Sequence, residues 1–91
     1  MEFEWDDEKA NANALKHRVT FDEAKTVFDA PLFVDFFDPE HSLEENRFLV
    51  AGVSLKCRPL IVAYTERGEK KRLISAREMT RSERRDYQEG N

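Results

Sequence analysis

RFLVAGVSLKCRPLIVAYTERGEKKRLISAR, residues 47–77, reads as three β-strands in a row. The runs RFLVAGVS (47–54), RPLIVAYTE (58–66) and KKRLISAR (70–77) carry aromatic, β-branched and long aliphatic residues, and only LKC and RGE separate them. Connections this short turn a chain back beside itself, so the three runs are expected to pair antiparallel as two hairpins. The first two are apolar on both parities (Phe48, Leu49, Val50 and Val53; Leu60, Ile61, Val62 and Tyr64). Strands of that kind belong in the middle of a sheet that is covered on both faces. Upstream, LFVDFFD (32–38) has the same character and runs into a turn-like DPEHS, which supplies a further strand.

The segments on either side read as helices. In DDEKANANALKH (6–17), Asp6 is a natural N-cap, and Asp7 and Glu8 suit the positive end of the helix dipole. Ala10, Ala14 and Leu15 form a thin apolar stripe for one buried face. In VTFDEAKTVFDAP (19–31), Thr20 and Glu23 make a capping box and Val19 is placed to staple onto Ala24. Phe21, Ala24, Val27 and Phe28 then repeat at helical spacing until Pro31 ends the run. Thr80 and Glu83 make a second capping box, opening RSERRDYQE (81–89), whose one large apolar residue is Tyr87. So short and polar a helix is marginal alone and must lean on the sheet or on a partner. With FEW (3–5) as a short edge strand, the order is β–α–α–β–β–β–β–α. The expectation is an α+β fold in one domain spanning 1–91: an antiparallel sheet of about four strands, two N-terminal helices and a short C-terminal helix.

Composition narrows the function. The chain has 91 residues, 40% hydrophobic and 37% charged, with a net charge of −4. That is enough apolar material for one core and an ionic surface. Cys57 is the single cysteine, so no internal disulfide framework exists, which fits a reducing cytoplasm. No run approaches a membrane span, and MEFEWDDEKA is too acidic for a signal peptide, so a soluble intracellular protein is expected. The charge is divided. Residues 1–46 hold four Lys/Arg against thirteen Asp/Glu, a balance of −9, while residues 47–91 hold eleven against six, a balance of +5. Eight of the fifteen cations lie between residues 65 and 85. The overall field disfavours nucleic acid, but screening over about 8 Å lets a local cation cluster act alone at contact.

Three segments, FEWDDEKANANALKH, VTFDEAKTVFDAP and YTERGEKKRLISAREMTRSERRDY, closely resemble the BrnT toxins of bacterial type II toxin–antitoxin modules. The matching positions are Trp5, Asp6, Lys9, Asn13, Lys16, His17, Phe21 and Phe28, then Thr65, Glu66, Arg67, Gly68, Arg72, Ser75, Ala76, Arg77, Glu83, Arg84 and Tyr87. They cover nearly the whole chain. The resemblance implies a RelE-like fold, an endoribonuclease that blocks translation, and a co-encoded BrnA-like antitoxin that silences it. By the same analogy DNA binding belongs to the antitoxin, so none is assigned to this chain. One departure stands out: the family usually has Gly after the Lys-His pair, and this chain has Arg18, which puts the local turn geometry in question.

RNA cleavage without a metal needs a proton acceptor for the 2′-hydroxyl, a proton for the leaving 5′-oxygen, and stabilisation of the extra negative charge on phosphorus. Arginine suits the last task, because its planar fork matches phosphate oxygens and stays charged. Arg67, Arg72 and Arg77 are the candidates that the resemblance favours; alternatively they pair with Glu66, Glu69, Glu78 and Glu83 on a wet surface. Arg72 and Arg77 are five apart, hence on opposite faces of a regular strand, and serve one site only if a bulge intervenes or one lies beyond the strand end. His17 is a candidate acid or base, or else a helix-end residue that complements the dipole. Lys70 and Lys71 are either an exposed hairpin entry or RNA-backbone contacts. Arg84 is grouped with the RNA contacts, and Tyr87 either anchors the last helix or stacks on a base. His41 reads as loop decoration. Two His and one Cys lie far apart without metal-ligand spacing, and no glycine-rich phosphate loop occurs, so neither metal nor cofactor is expected. The competing function is a non-catalytic module whose cationic surface docks a partner chain.

Overall fold

The structure, a computed structural model, describes residues 1–30, 34–38 and 45–89. Pro31, His41 and most of the acidic turn after LFVDFFD lie outside them. The elements are β1 (Glu2–Glu4), α1 (Asp7–His17), α2 (Phe21–Ala24), β2 (Val34–Asp38), β3 (Arg47–Val53), β4 (Pro59–Arg67), β5 (Lys70–Glu78) and α3 (Arg81–Glu89). A 3-10 segment, Lys25–Asp29, continues α2, so the second helix tightens after one turn. None of the described helices is long and apolar enough to cross a membrane.

The strands form one sheet in the order β1-β5-β4-β3-β2. The pairs β2–β3, β3–β4 and β4–β5 are antiparallel, as the short connections predict. The sheet is nevertheless mixed, because β1, the short edge strand expected from FEW, pairs parallel with β5. Two turns carry the left-handed conformation that tight hairpins need. Gly68 (φ 61°) begins the two-residue connection between Arg67 and Lys70, and Cys57 (φ 63°) closes the Leu55–Cys57 loop.

α1 and α2 cover one face, which holds the main core: Val19, Phe21, Ala24, Val27, Phe28, Val50, Leu60, Val62, Tyr64, Leu73 and Ala76. An aromatic line crosses this face. Phe3 meets Phe28 at 5.1 Å between ring centroids, Phe28 meets Tyr64 at 5.1 Å, and Tyr64 stacks on Phe48 at 5.6 Å. Such pairs contribute about 0.5–1.5 kcal/mol each beyond burial, and this line fastens the short β1 to the centre of the sheet.

α1 buries the stripe expected for it only in part: Ala10 and Ala14 are half-buried, and Ala10 packs against the main core. Leu15 is 86% exposed, and the one buried residue of the helix is Asn13. Its side chain behaves as a piece of strand. Nδ2 donates to the carbonyls of Val19 and Ala76, both at 2.9 Å, and Oδ1 accepts from the Ala76 N–H at 3.0 Å. β1 ends opposite Arg72, so the amide of Asn13 satisfies the edge of β5 where the neighbouring strand has run out.

A second polar tie holds α2 to the β3–β4 hairpin. The buried Glu23 takes two hydrogen bonds from Arg58, through Nε at 2.9 Å and through Nη2, and a third from Ser54 Oγ at 2.7 Å. These donors, Arg58 first, hold the Glu23 carboxyl below the usual range against the opposing effect of burial. Arg58 Nη2 also reaches the Arg18 carbonyl at 2.9 Å. Arg18 itself is left-handed (φ 58°, ψ 32°) and caps α1 through its N–H to the Ala14 carbonyl. A β-carbon is strained there, so Arg18→Gly is expected to raise stability by about 0.5–1 kcal/mol. Urea denaturation would measure this, and since only the carbonyl of Arg18 holds Arg58, that bond should survive.

Candidate active site

The sheet's second face carries the side chains of Arg47, Leu49 and Ala51 from β3, Ile61, Ala63, Thr65 and Arg67 from β4, and Lys70, Arg72, Ser75 and Arg77 from β5. The strand register sets this grouping, together with the placement of Phe48, Tyr64 and Lys71 on the helical side. A slip in the β4–β5 pairing decides the matter for β5. Ala63 pairs with Ser75 but Tyr64 pairs with Leu73, so Ile74 is an extra residue, a bulge. Without it, Arg72 and Arg77 would point to opposite sides. With it, Leu73 and Ala76 both enter the helix-side core and both arginines emerge on the second face.

This face has two ends. At one, Ala51, Ile61 and Met79 form a small buried cluster on which Leu49 and Tyr87 pack, so α3 supplies the missing cover. At the other, register lines up Glu4, Arg72, Thr65 and Arg47 in one row across four strands. Arg67 and Lys70 face each other one row further out. Thr65 is 2% exposed, and its Oγ1 is the one buried side-chain polar atom among the described residues that lacks a hydrogen-bond partner. Such atoms are costly and uncommon, and here it sits at the centre of the cations.

Each arginine expected from the sequence holds a carboxylate, though mostly not those anticipated. Arg72 Nη1 donates to Glu4 at 2.8 Å, and Arg67 Nη2 to Glu45 at 3.1 Å. Arg77 makes a two-pronged bond to Glu83, at 2.6 and 2.8 Å. Arg77 lies opposite Ile61, four residues along β4 from Thr65, or about 13 Å at strand spacing. It therefore borders the apolar end, with its fork turned to Glu83 and away from the row of Arg72 by four strand positions.

Glu83 has a further task, since its Oε1 accepts from the Thr80 N–H at 2.9 Å while Thr80 Oγ1 accepts from the Glu83 N–H at 3.1 Å. That is the capping box read from the sequence. Arg77, with help from Thr80 and against partial burial, lowers the Glu83 carboxyl to about 2. A carboxyl depressed on folding stabilises the fold above its unfolded value, near 4.5, and loses that contribution as pH falls toward 2. α3 is therefore expected to loosen between pH 4.5 and 2. NMR titration of the Glu83 side chain would check this, and in Arg77→Ala its midpoint should return toward the ordinary carboxyl range.

The remaining sequence candidates divide. Lys70 lies on the arginine face. Lys71 does not: its ammonium sits over the Tyr64 ring at 4.7 Å and near Glu66 at 3.6 Å, on the helical side. His17 ends α1 in the helical layer, and neither it nor Lys71 bonds to Arg67, Arg72 or Arg77. Arg84 is exposed on α3, and Tyr87 packs that helix onto the sheet. Sequence reading missed Glu4 and Arg47, which enter the row only through pairing with distant strands. Among the described residues, no three His, Cys, Asp or Glu side chains gather into a metal site.

A small α+β protein with a helix-covered face and a cationic face resembles a known structure. The crystal structure of the ribonuclease toxin BrnT from Brucella abortus superposes with a TM-score of 0.66 at 20% sequence identity, covering 89% of this chain and 99% of that one. At that identity the likeness speaks for the fold. The family model described as the ribonuclease toxin BrnT of type II toxin–antitoxin systems matches residues 5–83, and the chain belongs to that family. It is thus a toxin of the endoribonuclease class, whose system includes an antitoxin. No curated protein sequence matches the chain significantly.

Proposed function

We propose that the chain cuts RNA on the arginine face, by attack of a 2′-hydroxyl on the adjacent phosphorus and without a metal ion, and so halts translation in the cytoplasm. The observation that supports this reading is the row in which Arg72 and Arg47 flank the buried, unpaired Thr65 hydroxyl, with Arg67 and Lys70 beside them. Guanidinium groups fixed on strands are preorganised donors for phosphate oxygens, and they act most strongly as charge builds on the phosphorane. Arg77, Arg84 and Lys70 would then hold neighbouring phosphates of the same strand. A BrnA-like antitoxin would silence the toxin by covering this face, with its own acids replacing phosphate.

The test is incubation of the purified chain with labelled RNA and excess EDTA, both in buffer and in a translating extract. Cleavage that persists in EDTA and stops on addition of the antitoxin is the expected result. Cleavage abolished by EDTA and restored by Mg²⁺ would refute the metal-free step. If the chain binds the antitoxin but cuts RNA in neither setting, the face is a docking surface.

A further inference from the structure

We infer that Glu4 is the general base that takes the 2′-hydroxyl proton, an inference that rests on the cationic face being the site of cleavage. The reaction needs a proton acceptor within hydrogen-bond reach of the attacking oxygen, beside the group that holds the phosphate. Neither His17 nor any other described histidine lies on this face, so the acceptor is sought among carboxylates. Glu83 uses both oxygens on Arg77 and one on the Thr80 N–H as well. Glu45 holds Arg67 outside the central row, and Glu2 lies at the exposed start of β1. Glu4 is different. It stands in the same row as Thr65, on a strand held by its pairing with β5 and by the Phe3–Phe28 contact. Its Oε2 accepts from Arg72, its Oε1 has no partner among the described residues, and its side chain is 31% exposed, open to a ligand without being loose.

The chemistry closes with these groups. Glu4 Oε1 takes the proton, the 2′-oxygen bonds to phosphorus, and the P–O5′ bond breaks. The departing oxygen takes a proton from water, leaving a 2′,3′-cyclic phosphate and a 5′-hydroxyl. Arg72 thus both positions the base and binds the phosphate, which places acceptor and electrophile side by side. The charged groups facing Glu4 are Arg72 and Lys70 of β5, Arg67 of β4 and Glu2 of its own strand.

Single-turnover cleavage of a labelled RNA, in buffer and in extract, by the wild type, Glu4→Gln, Glu4→Asp and Arg72→Ala tests the assignment. Glutamine keeps an oxygen for Arg72 but cannot accept a proton. It should slow cleavage about 100-fold or more, abolish the rise in rate with pH on the acid side, and leave RNA binding within about threefold. Aspartate should keep that pH dependence at a reduced rate. Three results would overturn the role of Glu4: near-wild-type cleavage by Glu4→Gln, an unchanged pH profile, or a loss confined to RNA binding. If Arg72→Ala is inactive in those cases, the cationic face still stands as the site. If Arg72→Ala also cuts normally, or the wild type cuts in neither setting, the site itself is misplaced and Glu4 falls with it.

Discussion

Arg72→Ala is expected to lower the rate of RNA cleavage by about 100- to 1,000-fold, the cost typical of removing one preorganised donor to a developing negative charge. No other arginine of this face both stands beside Thr65 and holds Glu4. On the proposed site, its loss takes away a phosphate ligand, and it frees the Glu4 carboxylate that Arg72 keeps in place. Stability should change little, since solvent still reaches both side chains of the pair and such a pair contributes about 1 kcal/mol. A gel-based rate together with a melting curve separates the two effects. Arg77→Ala makes an informative contrast: its partner Glu83 caps α3, so that variant should loosen the helix more and slow cleavage less. Equal cleavage by Arg72→Ala and the wild type would remove the reaction from this face.

Asn13→Ala should cost about 3–5 kcal/mol, because it strips partners from the Val19 carbonyl and from both backbone groups of Ala76, and each buried orphan costs about 1–3 kcal/mol. For a domain of this size that is a fall of roughly 15–30 °C in melting temperature, a large part of the total stability. A fall of only a few degrees would show that water can replace the amide at the strand edge. Leu15→Ala, one helix position that sequence patterning marked as core, should by contrast be close to neutral, since its side chain is already in water.

The contrast between Asn13 and Leu15 shows where the sequence was legible and where it was not. Caps, hairpins and strand parity are local, and Asp6, Thr20, Thr80 and the three long strands all appear where local rules put them. Partners from distant elements leave no local trace. A helix that shields a strand edge needs an amide more than a leucine, and only the pairing limit of β1 reveals that edge. The candidate site was half visible for the same reason. Arg67, Arg72 and Arg77 stand out as a cluster, yet their common face depends on one extra residue at Ile74, which composition does not disclose. Lys71 looked equivalent to Lys70, and strand alternation alone sends it to the other side. Arg47 and Glu4 belong to segments whose sequences suggest nothing catalytic until the strands are laid side by side.

The parallel pairing of β1 with β5 also has a meaning for the cell that makes this toxin. Glu4 and Arg72 are 68 positions apart. Closing so long a loop costs about 4 kcal/mol of chain entropy, so the edge strand gains its place only when the sheet it joins is already there to reward it. No nascent or broken chain that stops short of residue 72 can hold both members of the pair. On the proposed mechanism, a chain that stops before residue 72 carries the base without the arginine that places it, so such a fragment should cut no RNA.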